Sequence, residues 1–250
     1  MIEFSPLLLL LIVGINFLAA FLQASTGFGY GILAMSLMPL LLPLRMCSAI
    51  SAVTVVAIAI QMVIMLREHI NFKVVALPIA CCIISTNLGM YILMHTPEKT
   101  MRLILALLII MLTVFFAITQ KHSVTLKNSL RNGIVFGLLA GMSTGMFNIV
   151  GPFLMVYYFN TSKNNLSFKA NLEFSFLVAG TYSSALHIWY GNINAAVLPY
   201  AMGSAAAAVV AGFIGIRLFK KTNSVILKRM ILVALPIMAL LLTRDMWPFG

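Results

Sequence analysis

The sequence predicts an all-α, polytopic membrane protein built from two inverted repeats. Each repeat holds a broken or re-entrant pair of short helices and three full transmembrane helices, about 8–10 membrane segments in all. Three observations carry this reading. Of 250 residues, 62% are hydrophobic and 8% are charged, against roughly 25% charged in a typical soluble domain, and mean hydropathy is +1.07. No charge falls between Glu3 and Arg45, and no Asp, Glu, Lys or Arg between Glu173 and Arg217, where His187 stands alone. The basic residues gather in short loops that alternate along the apolar runs. A chain with 16 basic and 5 acidic residues cannot cover so much apolar surface in water, which excludes a soluble enzyme, a secreted disulfide scaffold and a disordered protein. The formal charge of +11 reads as topology rather than nucleic-acid binding. Cys47, Cys81 and Cys82 lie in apolar runs without ligand spacing, so no disulfide, metal or cofactor is implied.

A helix needs about 20 apolar residues to cross ~30 Å of hydrocarbon. The chain opens with a pair of shorter pieces, 6–22 and 32–43, joined by 23–31. Met1-Ile2-Glu3 lacks the positive start of a signal peptide, so the first piece reads as membrane segment. Full spans follow at 46–66, 74–94 and 101–119. A second broken pair, 132–144 and 152–160, is joined by 145–151, and full spans follow at 168–190, 195–216 and 225–243. The repeats therefore occupy 1–120 and 130–250, with 120–131 as a cytoplasmic linker.

Loops 67–73, 120–131, 161–169 and 217–229 hold twelve of the 16 Lys and Arg, Lys169 among them; Arg45, Lys99, Arg102 and Arg244 fall on the other side. The positive-inside rule makes the twelve-charge side cytoplasmic in a multi-pass plasma (inner) membrane protein, with Lys228 and Arg229 snorkelling from the last helix. Ser25-Thr26-Gly27 recurs as Ser143-Thr144-Gly145, Ala76-Leu77-Pro78 as Val197-Leu198-Pro199, and Gly89 as Gly212. The first half begins outside and the second inside. Inverted repeats of this kind characterise secondary transporters, with substrate held where broken segments meet.

The joints carry the candidate chemistry. Gln23, Ser25, Thr26, Gly27, Gly29, Tyr30 and Gly31 form the first tip, whose alternate glycines allow positive φ and close backbone approach. Ser143, Thr144, Asn148, Gly151 and Pro152 form the second, with Pro152 suited to the first position of a new helix. In each, a following helix aims its free N–H groups at the tip, an arrangement that suits a small anion. Glycines that serve only close helix packing are the plainer alternative. Glu173 reads equally as a proton-coupling site or as a helix-end ion pair with Lys169, four residues earlier. His187 reads as an interfacial residue beside Trp189 and Tyr190, and Asn16, Gln61 and Asn87 as interhelical hydrogen-bonding residues.

The segment QASTGFGYG, with an apolar helix ending in Pro after it, and GLLAGMSTGMFNIVGP opening the second half resemble the sulfite exporter TauE/SafE family, also called the toluene-sulfonate uptake permeases. The resemblance covers essentially the whole chain. It implies a plasma-membrane carrier of small organosulfur anions such as sulfite, sulfonates or sulfoacetate-like compounds. Where many members carry a Gly-Gly-Gly run, this chain reads Asn148-Ile149-Val150-Gly151-Pro152.

The expected function is secondary transport of small anions by alternating access, with the lipid bilayer as surroundings, protons as a candidate coupling ion and a homo-oligomer left open. The alternatives are a drug/metabolite-type exporter of organic solutes, which the short pieces and charge count disfavour, and an anion channel, marked by flux that does not saturate. No nucleophile–base pair or HExxH spacing supports an intramembrane enzyme.

Overall fold

A computed structural model describes residues 5–121 and 129–219, and these are helices and turns without a strand. The helices are α1 (Pro6–Thr26), α2 (Tyr30–Leu37), α3 (Leu44–Leu66), α4 (Phe72–His95), α5 (Glu98–Lys121), α6 (Leu130–Phe147), α7 (Gly151–Thr161), α8 (Asn165–Trp189) and α9 (Leu198–Phe219). Single 3₁₀ turns at Met38–Leu40 and Arg67–His69 continue α2 and α3. The expected span 225–243, Arg244, and the charges of the 217–229 loop beyond Arg217 lie outside the described residues, as does most of the linker 120–131.

Local chemistry sets the helix ends. Ser5, Ser129 and Asn164 cap α1, α6 and α8, each accepting from an N–H three residues on. The stops of α1 and α6 are left-handed residues, Gly27 (φ 89°) and Asn148 (φ 54°), the second being the non-glycine that tolerates this region best. Here the expectation is corrected. The first piece does not end at 22: α1 runs 21 residues to Thr26, about 31 Å at ~1.5 Å per residue. It is one of four described helices long and apolar enough to cross a membrane, with Leu44–His69, Phe72–His95 and Leu198–Arg217. Likewise α6 continues past Thr144 to Phe147. Ser25, Thr26 and Thr144 return their hydroxyl hydrogens to the carbonyl four residues back, as helical Ser and Thr do, so they prolong the helix rather than break it.

Two pairs of helices pack in parallel at very close range. Along α6, Gly133, Gly137, Gly141 and Gly145 form a seam that meets Leu77, Pro78, Cys82 and Thr86 of α4 in the same order. A Cβ on Gly141 would sit 2.0 Å from the Cys82 carbonyl oxygen. Along α9, Gly203 meets Leu9 and Val13 of α1, and Gly215 meets Phe21 and Ala24. Helices in lipid have no hydrophobic drive to associate, so small residues that let backbones approach supply van der Waals contact instead. Between these pairs α3 and α8 cross in opposite directions, Ser48 beside His187 and Val55 beside Gly180. Large apolar side chains such as Leu7, Ile64, Ile84 and Phe213 face outward, as a lipid-facing surface requires. The protein is an all-α polytopic membrane protein.

The 161–169 stretch differs from a basic loop. α8 starts at Asn165, and Lys169 is 1% exposed within it.

Candidate functional site

The broken segments meet. After α1 ends, Gly27 and Gly29 both take positive φ (89° and 106°) and reverse the chain, so that α2 starts at Tyr30. After α6 ends, Asn148 takes the left-handed turn and α7 starts at Gly151 with Pro152 in its first turn. The two turns touch: a Cβ on Gly31 would lie 2.6 Å from the Asn148 carbonyl oxygen and 3.2 Å from Ile149 Cα. A small cavity lies at this junction, lined by Gln23, Gly29, Tyr30, Gly31, Asn148, Gly151 and Pro152 from the expected set, and also by Ile32, Val55, Ile149, Val150 and Phe176. Val55 and Phe176 stand at the middle of α3 (23 residues) and α8 (25 residues), which puts the cavity at mid-height of the bundle. Its free room is about 10 Å³, space for roughly one water. The tips must part before a larger solute can enter.

The lining is polar in a specific sense. Neither Gly29 nor Val150, the residues preceding α2 and α7, caps its helix with a side chain. The first-turn N–H groups of a helix have no intrahelical acceptor, so two positive helix ends converge on one cavity. Asn148 is buried to 1% exposure, and neither its amide nitrogen nor its amide oxygen has a hydrogen-bond partner. A buried orphan amide costs about 1–3 kcal/mol, a burden a protein carries where another partner arrives. Gln23 spans from the cavity to α8, its Nε2 donating to Glu173 Oε2 at 3.0 Å.

The hydroxyl groups expected at the tips stand elsewhere. Ser25 donates to Phe21 O, Thr26 to Leu22 O and Phe28 O, Thr144 to Ala140 O, and Ser143 to Ala140 O and, at 2.6 Å, Ile149 O. Each has its one hydrogen engaged by backbone, and none of the four lines the cavity. Ser143 and Thr26 instead hold the shape of the reversals, since each bonds a carbonyl beyond its helix end. Gly27 also stays off the lining; its role is the turn. The Tyr30 hydroxyl, a donor, is taken by Asn16 Oδ1.

Glu173 is fully buried, so it is not a helix-end ion pair exposed to water. The Lys169 ammonium, one turn earlier, donates to the Ala24 carbonyl in the last turn of α1. Sequence reasoning counts Lys169 among loop charges; its spacing from Glu173 was the available signal. His187 is corrected in the same way. It is buried with Nε2 3.2 Å from Ser48 Oγ, and Asn192 Nδ2 donates to its Nδ1, whereas Trp189 is 85% exposed. Asn87 does accept across helices, from Tyr182 Oη at 2.8 Å.

The sequence model described as "Sulfite exporter TauE/SafE" matches residues 11–242. A protein of Cupriavidus necator named "Probable sulfite/organosulfonate exporter TauE" is 24% identical over 217 residues, covering 84% of this chain and 85% of that protein. No solved structure matches.

Proposed function

Because the chain belongs to the sulfite exporter TauE/SafE family, a family of membrane transporters and not of enzymes, we propose that it is a secondary carrier of sulfite and small organosulfonates, of the sulfoacetate type, in the plasma membrane. The substrate sits in the cavity between the two tips. One observation carries this: two helix N-termini without side-chain caps line one cavity, together with Asn148, whose buried amide has no hydrogen-bond partner. Backbone N–H groups and a neutral amide bind an oxyanion by hydrogen bonds and dipoles, without a fixed cation in contact, so release remains fast.

The carrier works by alternating access between two halves of opposite orientation. Two element starts and a proline inside two helices support this: Tyr30 and Gly151, Leu44 and Asn165, and Pro78 and Pro199 are each 121 apart (151 − 30, 165 − 44, 199 − 78). The Ser-Thr-Gly match is offset by 118 (143 − 25), one helical turn out of that register. Packing supports it too, because α1 of the first half lies parallel to α9 of the second, and α6 of the second parallel to α4 of the first. Parallel packing of α4 with α6 agrees with a cytoplasmic start for both, and so with the loop-charge orientation. Glu173 is the candidate site for a coupling proton.

The test is uptake of labelled sulfite, sulfoacetate, an alkylsulfonate and a carboxylate into proteoliposomes, with and without a pH gradient. Saturable, sulfur-selective flux that is lost in Gly29→Leu supports the reading, because Gly29 lines the cavity at φ 106°. Flux of none of these anions sinks it, and flux that does not saturate makes the protein a channel.

A further inference from the structure

The seam between α3 and α8 continues beyond the cavity. Val55 and Phe176 line the cavity. From them each helix carries a buried face towards the end of the bundle where α3 starts and α8 stops, the outer end by the loop charges. On α3 that face continues through Ser51 and Ser48, and on α8 through Gly180, Ser183 and His187. The steps are three and four residues, which keeps side chains on one side of a helix. The two faces are in register: a Cβ on Gly180 would lie 3.1 Å from Val55 Cγ1, and His187 Nε2 lies 3.2 Å from Ser48 Oγ. Ser183 stands between these two contacts. Phe176 and His187 are eleven residues apart (187 − 176), or about 16 Å of helix, half of the ~30 Å of hydrocarbon. The seam therefore joins the mid-height cavity to the outer interface.

Four polar side chains on this seam, Ser48, Ser51, Ser183 and His187, are each 0% exposed. Small polar residues between membrane helices ordinarily serve close packing or a bond across the interface. Ser183 does not fit that account, because its hydroxyl has no hydrogen-bond partner. Thr54 on α3 and Ser175 on α8 return their hydroxyl hydrogens to the carbonyl four residues back, and Ser183 does not. Alanine would pack as closely there without burying an orphan hydroxyl. Ser51 gives its hydrogen to Met35 Sδ at 3.6 Å, a weak acceptor. Asn192 Nδ2 donates to His187 Nδ1, which leaves the ring hydrogen on Nε2, towards Ser48. At the mouth, one turn before Ser48, Arg45 donates to the Leu93 and Met94 carbonyls, and Glu98 is paired with Arg102.

We propose that the outer half of the α3–α8 seam is a second, transient site for the substrate oxyanion, between the cavity and the outer face, with Ser183 as its unengaged donor and the Ser48–His187 contact as its gate. This rests on the anion-carrier reading and adds to it the outer path. With the seam closed, the His187 Nε2 hydrogen is held by Ser48 and no anion passes. When the outer halves of α3 and α8 part, that bond opens. The hydrogens of Ser183 Oγ and His187 Nε2 then turn to the anion. Both donors are neutral, so the anion is held by hydrogen bonds alone and moves on without separating from a fixed cation.

The experiment places a thiol in the seam by Ser183→Cys in the full chain. Spheroplasts present its outer face, and inverted membrane vesicles its cytoplasmic face, to N-(2-sulfoethyl)maleimide, a small anionic thiol reagent that does not cross lipid. Wild type, with Cys47, Cys81 and Cys82, gives the background. Ser183→Cys should be modified from the outer face well above that background. Sulfoacetate should slow the reaction; sulfite is left out of this step because it consumes maleimides. After the reagent is removed, the modified protein should no longer exchange labelled anions in proteoliposomes. Adding His187→Leu, which breaks the gate contact, should speed modification, and His187→Gln, which keeps a donor, should not. Ser183→Ala should keep the wild-type melting temperature and raise KM about tenfold, the loss of one hydrogen bond to a charged ligand. Ser51→Cys is the second probe if Ser183→Cys fails to fold. An unreactive thiol, reaction from the cytoplasmic face alone, or full exchange after modification overturns the proposal while the carrier reading stands. So does a wild-type KM in Ser183→Ala. Wild type that exchanges no anion of the panel overturns the carrier reading itself, and the proposal with it.

Discussion

The backbone of Gly31 lies against the carbonyl of Asn148, so close that a Cβ would stand 2.6 Å from that oxygen. Residues more than a hundred positions apart thus share one van der Waals surface, and both line the cavity. Gly31→Ala should push the tips apart. The neighbour here is backbone and not a flexible side-chain end, so the strain falls in the range of about 1–3 kcal/mol typical of overpacking. Sulfite exchange should drop at least about tenfold, the rate equivalent of ~1.4 kcal/mol, while the protein still elutes as a folded species in detergent. Wild-type exchange by Gly31→Ala would mean that tip contact does not matter to transport.

Asn148 separates a backbone role from a ligand role. Asn148→Gly keeps the left-handed turn and removes the amide, so folding should persist or improve slightly, by up to about 1 kcal/mol, once the orphan polar group is gone. Sulfite KM should rise about tenfold for the loss of one hydrogen bond to a charged ligand. Asn148→Asp keeps shape but adds a negative charge at the cavity, and should abolish exchange. Equal KM in wild type and Asn148→Gly would remove Asn148 from the site.

Ser143 should behave differently. It holds the second reversal through Ile149 O at 2.6 Å and does not line the cavity. Ser143→Ala should lower the melting temperature, for a loss of about 1 kcal/mol, and leave substrate selectivity across the anion panel unchanged. A change of selectivity without loss of stability would return Ser143 to the ligand set.

The α4–α6 seam gives a purely structural prediction. Gly141→Leu would have to fit a side chain where a Cβ already meets Cys82 O at 2.0 Å and Ser85 Oγ at 2.1 Å. Both partners belong to one neighbouring helix, and relief requires separating α4 from α6. The cost should exceed about 3 kcal/mol, and the variant should fail to yield a monodisperse peak in size-exclusion chromatography. A well-folded Gly141→Leu would show that the seam is looser than its geometry.

Fold class, helix order and the positions of the breaks are legible in the chain because lipid imposes simple rules. Apolar length reports a span, and glycines beside polar residues report an interruption. The boundaries of α1 and α6 are not legible in the same way. Ser25, Thr26 and Thr144 have polar side chains that suit a turn, but a hydroxyl bonded to the carbonyl four residues back keeps the helix going. Lys169 and His187 mislead for a related reason. Position near a helix end says interface, whereas burial depends on which helix covers that end, and α1 and α3 do so here.

The sequence by itself determines a membrane-embedded helical chain with two interrupted segments, because the free energy of placing charge and open backbone in hydrocarbon acts residue by residue. Only the tertiary structure decides which groups face the junction. Gln23 and Asn148 reach the cavity, whereas Ser25, Thr26, Ser143 and Thr144 turn to backbone. That choice rests on contacts between segments distant in sequence, made possible by glycines with no Cβ to keep two backbones apart.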